Sequence, residues 1–381
     1  MSGETPGTLG RYRLVRRLGR GDATEAFEAR IEGAAGISKR LCIKRVLPRF
    51  ARSRRFVSVL ARQTRAAMGL QHGNIAQILD LAREGDEIFL ATELVDGESV
   101  FRLIRRMSRR GLQLPDEVAV HIVMEVCRAL DYAHRFSNQG SKACGIVHGD
   151  VSPKSILISR EGQVKLTDFG MGSAFRAVDH HAAMMERMLY APPGEGEHLS
   201  HWTDVHGAGA VLFHLLAGRP PYDAASILSA GPGSNPPSLE EAAPWVEPEV
   251  CEIVDRALSP DDEERLPDAR AMEEMLAAHL HGRSMVAEED LAALLRDESE
   301  EEHAGGSGSG RYQPAPRPSR AAAREAGGRR RTAVAAASGL VVLIAAVSLL
   351  FTFGPAPTVS AREVEVRSQP ASKMVSARLE S

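Results

Sequence analysis

Cysteine is scarce in this 381-residue chain, and the four that occur, Cys42, Cys127, Cys144 and Cys251, fall at no paired spacing. That excludes a Cys-x-x-Cys zinc site and a disulfide framework, and it predicts reduced thiols in a cytosolic setting. A charge excess of one sign is also missing. The net charge is −3, so no whole-protein field favours nucleic acid, which is not expected as a partner. The N-terminus lacks the basic, apolar and small-residue segments of a signal peptide. Beyond residue 353 the chain holds Pro355, Pro357 and Pro370 and too few apolar residues to build a sensor domain. What remains is ordinary: 43% hydrophobic and 25% charged residues, enough for one large core plus extras.

One stretch has no charge at all. Thr332 to Phe353, as a helix rising ~1.5 Å per residue, would cover roughly the ~30 Å hydrocarbon layer of a bilayer. Arg329, Arg330 and Arg331 abut its start, and Arg311, Arg317, Arg320 and Arg324 precede them. The positive-inside bias then leaves everything before the span in the cytoplasm, as expected of a single-pass protein of the inner membrane. Ala335 and Gly339 form a small-xxx-small pair that permits close helix pairing, and with it a homodimer. Residues 284–331 pass from an acidic run, Asp297 to Glu302, through Gly/Ser to an Arg/Pro-rich segment. That composition predicts a flexible tether whose basic end rests on anionic lipid, followed after the span by a short extracytoplasmic tail, 354–381.

The chemistry-bearing residues lie further upstream. Gly19 and Gly21 stand in a turn between two strands, where backbone amides can approach phosphates closely. Lys44 ends a strand, Leu41-Cys42-Ile43-Lys44, at the distance where its ammonium can pair phosphate oxygens. Phe56, Val59, Leu60, Ala67 and Leu70 recur at approximately helical spacing and predict a helix over Arg54 to Leu70, and Leu114-Pro115-Asp116 opens a second with Val118, Ile122, Val126, Leu130 and Ala133 on one face. Asp150 lies in His148-Gly149-Asp150-Val151-Ser152-Pro153-Lys154-Ser155, and Asp168-Phe169-Gly170 follows 18 residues after it. In a protein kinase this spacing brings a catalytic carboxylate and a magnesium-binding carboxylate to the same phosphate.

From Arg11 to Leu280 the chain resembles the eukaryotic-like serine/threonine kinases of bacteria. The resemblance implies an α+β, bilobal protein-kinase-like fold over residues 11–283, with a β-rich N-lobe (11–95) and a helical C-lobe (96–283), after a flexible N-terminus, 1–10. It implies ATP and Mg2+ as cofactors and a protein substrate or signalling partner. Asp150 matches the catalytic-loop base and Asp168 the magnesium ligand, and Lys44 matches the phosphate-binding lysine. Gly19, Gly21, Ala26, Cys42, Thr92, Glu93, Val95 and Leu157 fall at nucleotide-pocket positions, with Thr92 guarding the back and the Glu93 and Val95 backbone holding the adenine edge.

Several positions depart from the family pattern. Gln63 stands nine residues before His72 of His72-Gly73-Asn74-Ile75, where a glutamate holds the lysine; its amide can still accept from Lys44 without the charge. Ser155 replaces a magnesium-binding asparagine, and Lys154 is expected to bring to the transferred phosphate the charge missing at Ser152. Gly149 replaces an arginine that binds a phosphorylated loop, and Met171 to Tyr190 contains Ser173 but no threonine, so loop phosphorylation is not expected. Arg187 replaces a threonine. Pro193 replaces the glutamate that pairs with Arg265, which is expected to meet Glu195 or Glu197 or to face solvent. Two readings follow, a weakly active Ser/Thr kinase and a pseudokinase scaffold. A third, a small-molecule phosphotransferase of the aminoglycoside or choline kinase type, rests on His148-Gly149-Asp150 alone.

Overall fold

A computed structural model describes residues 7–21, 23–33, 37–137, 145–178, 187–193, 199–222, 236–281 and 289–295. The expected membrane span and the tail lie outside these residues. No described helix is long and apolar enough to cross a membrane.

The N-terminal part is one antiparallel sheet built from β1 (Thr8–Leu9), β2 (Tyr12–Arg20), β3 (Thr24–Glu32), β4 (Ser38–Val46), β5 (Ile78–Glu84) and β6 (Glu87–Thr92), in the order β1-β2-β3-β4-β6-β5. Alternation along β4 decides what each face does. Leu41 and Ile43 join Phe27, Ala29, Phe89 and Ala91 in a core on one face. The intervening Cys42 and Lys44 therefore point the other way, opposite Thr92 and Leu90 of β6, and Lys44 also stands opposite Ala26 of β3. Ordered structure begins earlier than residue 11. Leu9 is buried and pairs with Tyr12 around Gly10, whose φ of 57° suits a two-residue hairpin loop, so the expected flexible segment does not extend through 8–10.

After a short helix α1 (Pro48–Ala51), helix α2 (Arg54–Ala67) starts where Ser53 accepts a hydrogen bond from the Phe56 amide and turns Phe56, Leu60, Thr64 and Ala67 inward. The C-terminal part is helical: α3 (Val100–Arg109), α4 (Asp116–Arg135), α5 (Met171–Arg176), α6 (His201–Ala217), α7 (Leu239–Ala242), α8 (Pro248–Leu258) and α9 (Ala269–His279). The α4 helix, expected from its apolar periodicity, packs with α6, α8 and α9 into one large core. A small second sheet, β7 (Gly97–Ser99), β8 (Ile156–Ser159) and β9 (Val164–Leu166), lies beside it and carries the segment from Asp150 to Asp168.

Candidate active site

Lys44 and Asp168 meet beneath β4, and Asp150 lies within electrostatic reach of Asp168. The Lys44 ammonium donates to Asp168 Oδ1 at 2.6 Å and to Thr167 Oγ1 at 2.9 Å. Asp168 is the one described non-glycine residue with positive φ, 72°, a conformation costing roughly 1–3 kcal/mol that persists where surrounding contacts hold it. Phe169, buried beneath it, meets His148 edge-on at 4.7 Å.

The loop bearing Asp150 is tied to the helical core by a buried carboxylate. Asp204 on α6 accepts from the His148 amide at 2.8 Å and the Gly149 amide at 2.7 Å, and it contacts His134 Nε2 at 2.8 Å. His148 Nδ1 accepts from the Asp150 amide at 3.2 Å, so its Nε2 carries the proton and donates to the Thr167 carbonyl at 2.7 Å. This imidazole joins the Asp150 loop to the Asp168 turn. Gly149 has φ 74°, and a Cβ there would lie 2.4 Å from Leu199 Cδ1. A side chain at that position would strain the left-handed backbone and would require Leu199 to move.

Asp150 is not open. Arg187 forms an ion pair with its carboxylate, and the guanidinium carbon sits 3.5 Å from the Phe175 ring centre. Burial raises the Asp150 carboxyl above the ordinary carboxylate range; Arg187 and His148 pull it down and Asp168 pushes it up.

The residues after Asp168 explain a second displacement. Gly170 (φ 87°) starts α5, which lies between α2 and the loop of Asp150. Phe175 of α5 completes a three-ring cluster with Phe50 and Phe56, centroids 5.0–5.7 Å apart, and Met171 and Ala174 join the same core. A Cβ on Gly172 would stand 2.4 Å from the Gly149 carbonyl, and one on Gly170 2.8 Å from Gln63 Cβ. Gln63 is thus packed against the Gly170 backbone, and Lys44 takes Asp168 and Thr167 in place of the expected amide.

Two further expectations need correction. Ser155 Oγ is buried among backbone groups, donating to the carbonyls of Ser152 (3.0 Å) and Asp150 (3.1 Å) and accepting from the Ser152 amide (3.1 Å). So short a side chain braces the loop rather than presenting its hydroxyl to a metal. Lys154 projects toward α3, its ammonium 5.4 Å from the Phe101 ring centre, while the Phe101 amide donates to the Pro153 carbonyl at 2.9 Å. Arg265 has partners close by. It pairs with Asp262 at 2.5 Å and covers the Trp202 ring at 4.6 Å, whereas 194–198 lie outside the described residues.

The nucleotide positions surround the same cleft. Gly19 faces Ala26 across the β2–β3 hairpin, and the Gly21 amide donates to the Thr24 carbonyl at 2.8 Å. Thr92 is buried opposite Cys42, whose thiol burial pushes up. At Glu93 the amide donates to the Gln77 carbonyl at 2.8 Å and the carboxylate pairs with Lys165 at 3.0 Å, so the side chain and N–H are engaged. Val95 follows, half-buried. Leu157 on β8 alternates with the core residues Ile156 and Ile158 and therefore faces away from that core. Among the described residues no cluster of His, Cys, Asp and Glu has the arrangement of a dedicated metal centre.

Comparisons with known proteins agree with this geometry. The family model described as protein kinase domain matches residues 12–277. The tyrosine-protein kinase MasK of Myxococcus xanthus is 29% identical over 305 residues, covering 77% of this chain and 47% of its own length. The serine/threonine-protein kinase PrkC of Bacillus subtilis is 30% identical over 271 residues, covering 69% of this chain and 40% of its own. The alignments therefore span less than half of these relatives. The crystal structure of the Mycobacterium tuberculosis PknI kinase domain matches with a TM-score of 0.57 at 23% identity, covering 73% of this chain and 99% of that one, a likeness of fold.

Proposed function

Because the chain belongs to the protein kinase domain family, among the eukaryotic-like serine/threonine kinases of bacteria, we propose that it binds ATP with Mg2+ under β2–β4 and phosphorylates protein hydroxyls at a low rate. The observation that carries this reading is the contact of Lys44 with Asp168 at 2.6 Å, within electrostatic reach of Asp150. ATP with Mg2+ supplies the phosphoryl group when bound. Lys44 would hold its phosphate oxygens, Asp168 would hold the metal, and Asp150 would orient the acceptor hydroxyl and take its proton. The donor set fits in part, since Asp168 and Lys44 are in place while the Ser155 hydroxyl is engaged by the loop. The acceptor is read as serine or threonine; the name of MasK makes tyrosine the first alternative to assay.

A second reading, a pseudokinase whose pocket sets conformation without turnover, is favoured by the Arg187 ion pair on Asp150. The test is a nucleotide-dependent thermal shift with and without Mg2+, followed by phosphate transfer to a generic basic protein. A shift with transfer that Asp150→Ala abolishes supports the kinase, and a shift without transfer supports the pseudokinase. No shift removes the nucleotide from the account.

The uncharged run 332–353, behind its arginines, is the proposed membrane anchor, with the kinase domain on the cytoplasmic side. Retention in the membrane pellet after alkaline extraction, lost when the run is deleted, is the expected result.

A further inference from the structure

Helix α3 carries an arginine stripe. Arg102, Arg105 and Arg109 recur at three- and four-residue steps, so they share one face, and all three are exposed. Among the described residues none of the three pairs with a carboxylate. Like charges at these steps destabilise a helix by roughly 0.2–0.5 kcal/mol per pair, and a solvated arrangement gains nothing in return. The basic face continues toward the active site, because Arg105 and Lys154 both lie against the Phe101 ring, at 5.7 and 5.4 Å from its centre.

The same helix holds the end of the described chain. Arg106, next to the stripe, is ion-paired with Glu98 and donates from Nη1 to the Leu294 carbonyl at 3.1 Å. Leu294 belongs to the helical segment 289–295, whose Leu291, Ala292, Leu294 and Leu295 are buried. Only two residues after that segment ends, the sequence runs Asp297-Glu298-Ser299-Glu300-Glu301-Glu302. At a reach of up to ~3.3–3.6 Å per residue, these carboxylates can cover the whole length from Arg109 to Phe101, about 12 Å of helix.

We propose that the Arg102–Arg105–Arg109 face of α3 is the docking site of the chain's own acidic run, Asp297 to Glu302. Five carboxylates meet three unneutralised guanidinium groups at a place fixed by the Leu294 anchor. The segment leading to the proposed membrane anchor is then held along the large lobe beside the catalytic loop.

The test uses the full chain with Cys144→Ser, Arg105→Cys and Glu300→Cys; Cys42, Cys127 and Cys251 are buried. Mild oxidation should give an intrachain disulfide whose yield falls several-fold near 1 M salt, where charges are screened beyond ~3 Å. It should fall as much when Glu298, Glu301 and Glu302 are changed to Gln. A yield indifferent to both overturns the proposal, and an interchain disulfide reassigns the face to a second copy. Hydrogen exchange gives a reading free of cysteine variants. Neutralising the run with Asp297→Asn and Gln at the four glutamates should speed exchange over α3 several-fold, and unchanged exchange overturns the proposal. Should a free acidic peptide protect α3 while neutralisation leaves it unaltered, the site belongs to a separate acidic partner and the intramolecular assignment fails.

Discussion

Arg187 closes an ion pair on Asp150 while its guanidinium lies over the Phe175 ring, so the side chain that would accept a substrate proton and the ring that anchors α5 are held by one cation. Three elements are coupled through it: the catalytic loop, α5 and, through the Phe50–Phe56–Phe175 cluster, α2. A form able to transfer phosphate must break this contact before Asp150 can meet a hydroxyl.

Arg187→Thr, which restores the residue the family has there, should therefore raise phosphotransfer by on the order of tenfold, within what a freed general base contributes. Initial rates with radiolabelled ATP give the comparison. An unchanged rate would mean that the ion pair does not limit turnover.

Ser155→Asn should act in two directions. It removes a hydroxyl that makes three hydrogen bonds with the loop backbone, which should lower stability by about 1–3 kcal/mol. It also supplies an amide oxygen at the position where the family binds magnesium, and the nucleotide-dependent thermal shift should become more strongly Mg2+-dependent. Urea unfolding and thermal shift separate the two effects.

Acid should weaken the helical part at moderate pH. His206 is fully buried between the Tyr190 carbonyl and the Tyr222 hydroxyl, at 3.3 Å from each, and burial lowers its pKa to about 4. The unfolded chain takes up a proton near pH 6.5 that the folded chain refuses until about 4. Stability is thus complete above pH 6.5 and declines as pH falls toward 4, by up to about 3 kcal/mol for this one group. Urea midpoints between pH 7.5 and 4.5 should follow that slope, and His206→Phe should flatten it.

What the sequence made legible was set by local pattern and by spacing. Apolar periodicity gave the existence, starts and buried faces of α2 and α4, with α2 ending three residues before the expected Leu70, because a buried stripe dictates a helix's face. The spacing of Asp150 and Asp168 pointed to a shared neighbourhood, and Asp168 acts electrostatically on Asp150 across the short β8–β9 hairpin. The misses share a different cause. Ser155 and Lys154 occupy the expected positions in the chain but point to partners, the loop backbone and Phe101, that nothing in their own neighbourhood of sequence announces. Helix α5 is six residues long, too short for periodicity to reveal, and it is stabilised by rings from α1 and α2. Arg187 was singled out as a departure, but its grip on Asp150 depends on a chain path that residue types do not encode.

The approach of Gly172 to the Gly149 carbonyl leaves no space for even one methyl group. A single added carbon at residue 172 would be enough to pry α5 from the catalytic loop while every acid, base and phosphate-binding side chain kept its identity. The molecule thus contains a chemically silent position from which the seating of α5 on the catalytic loop can be disturbed.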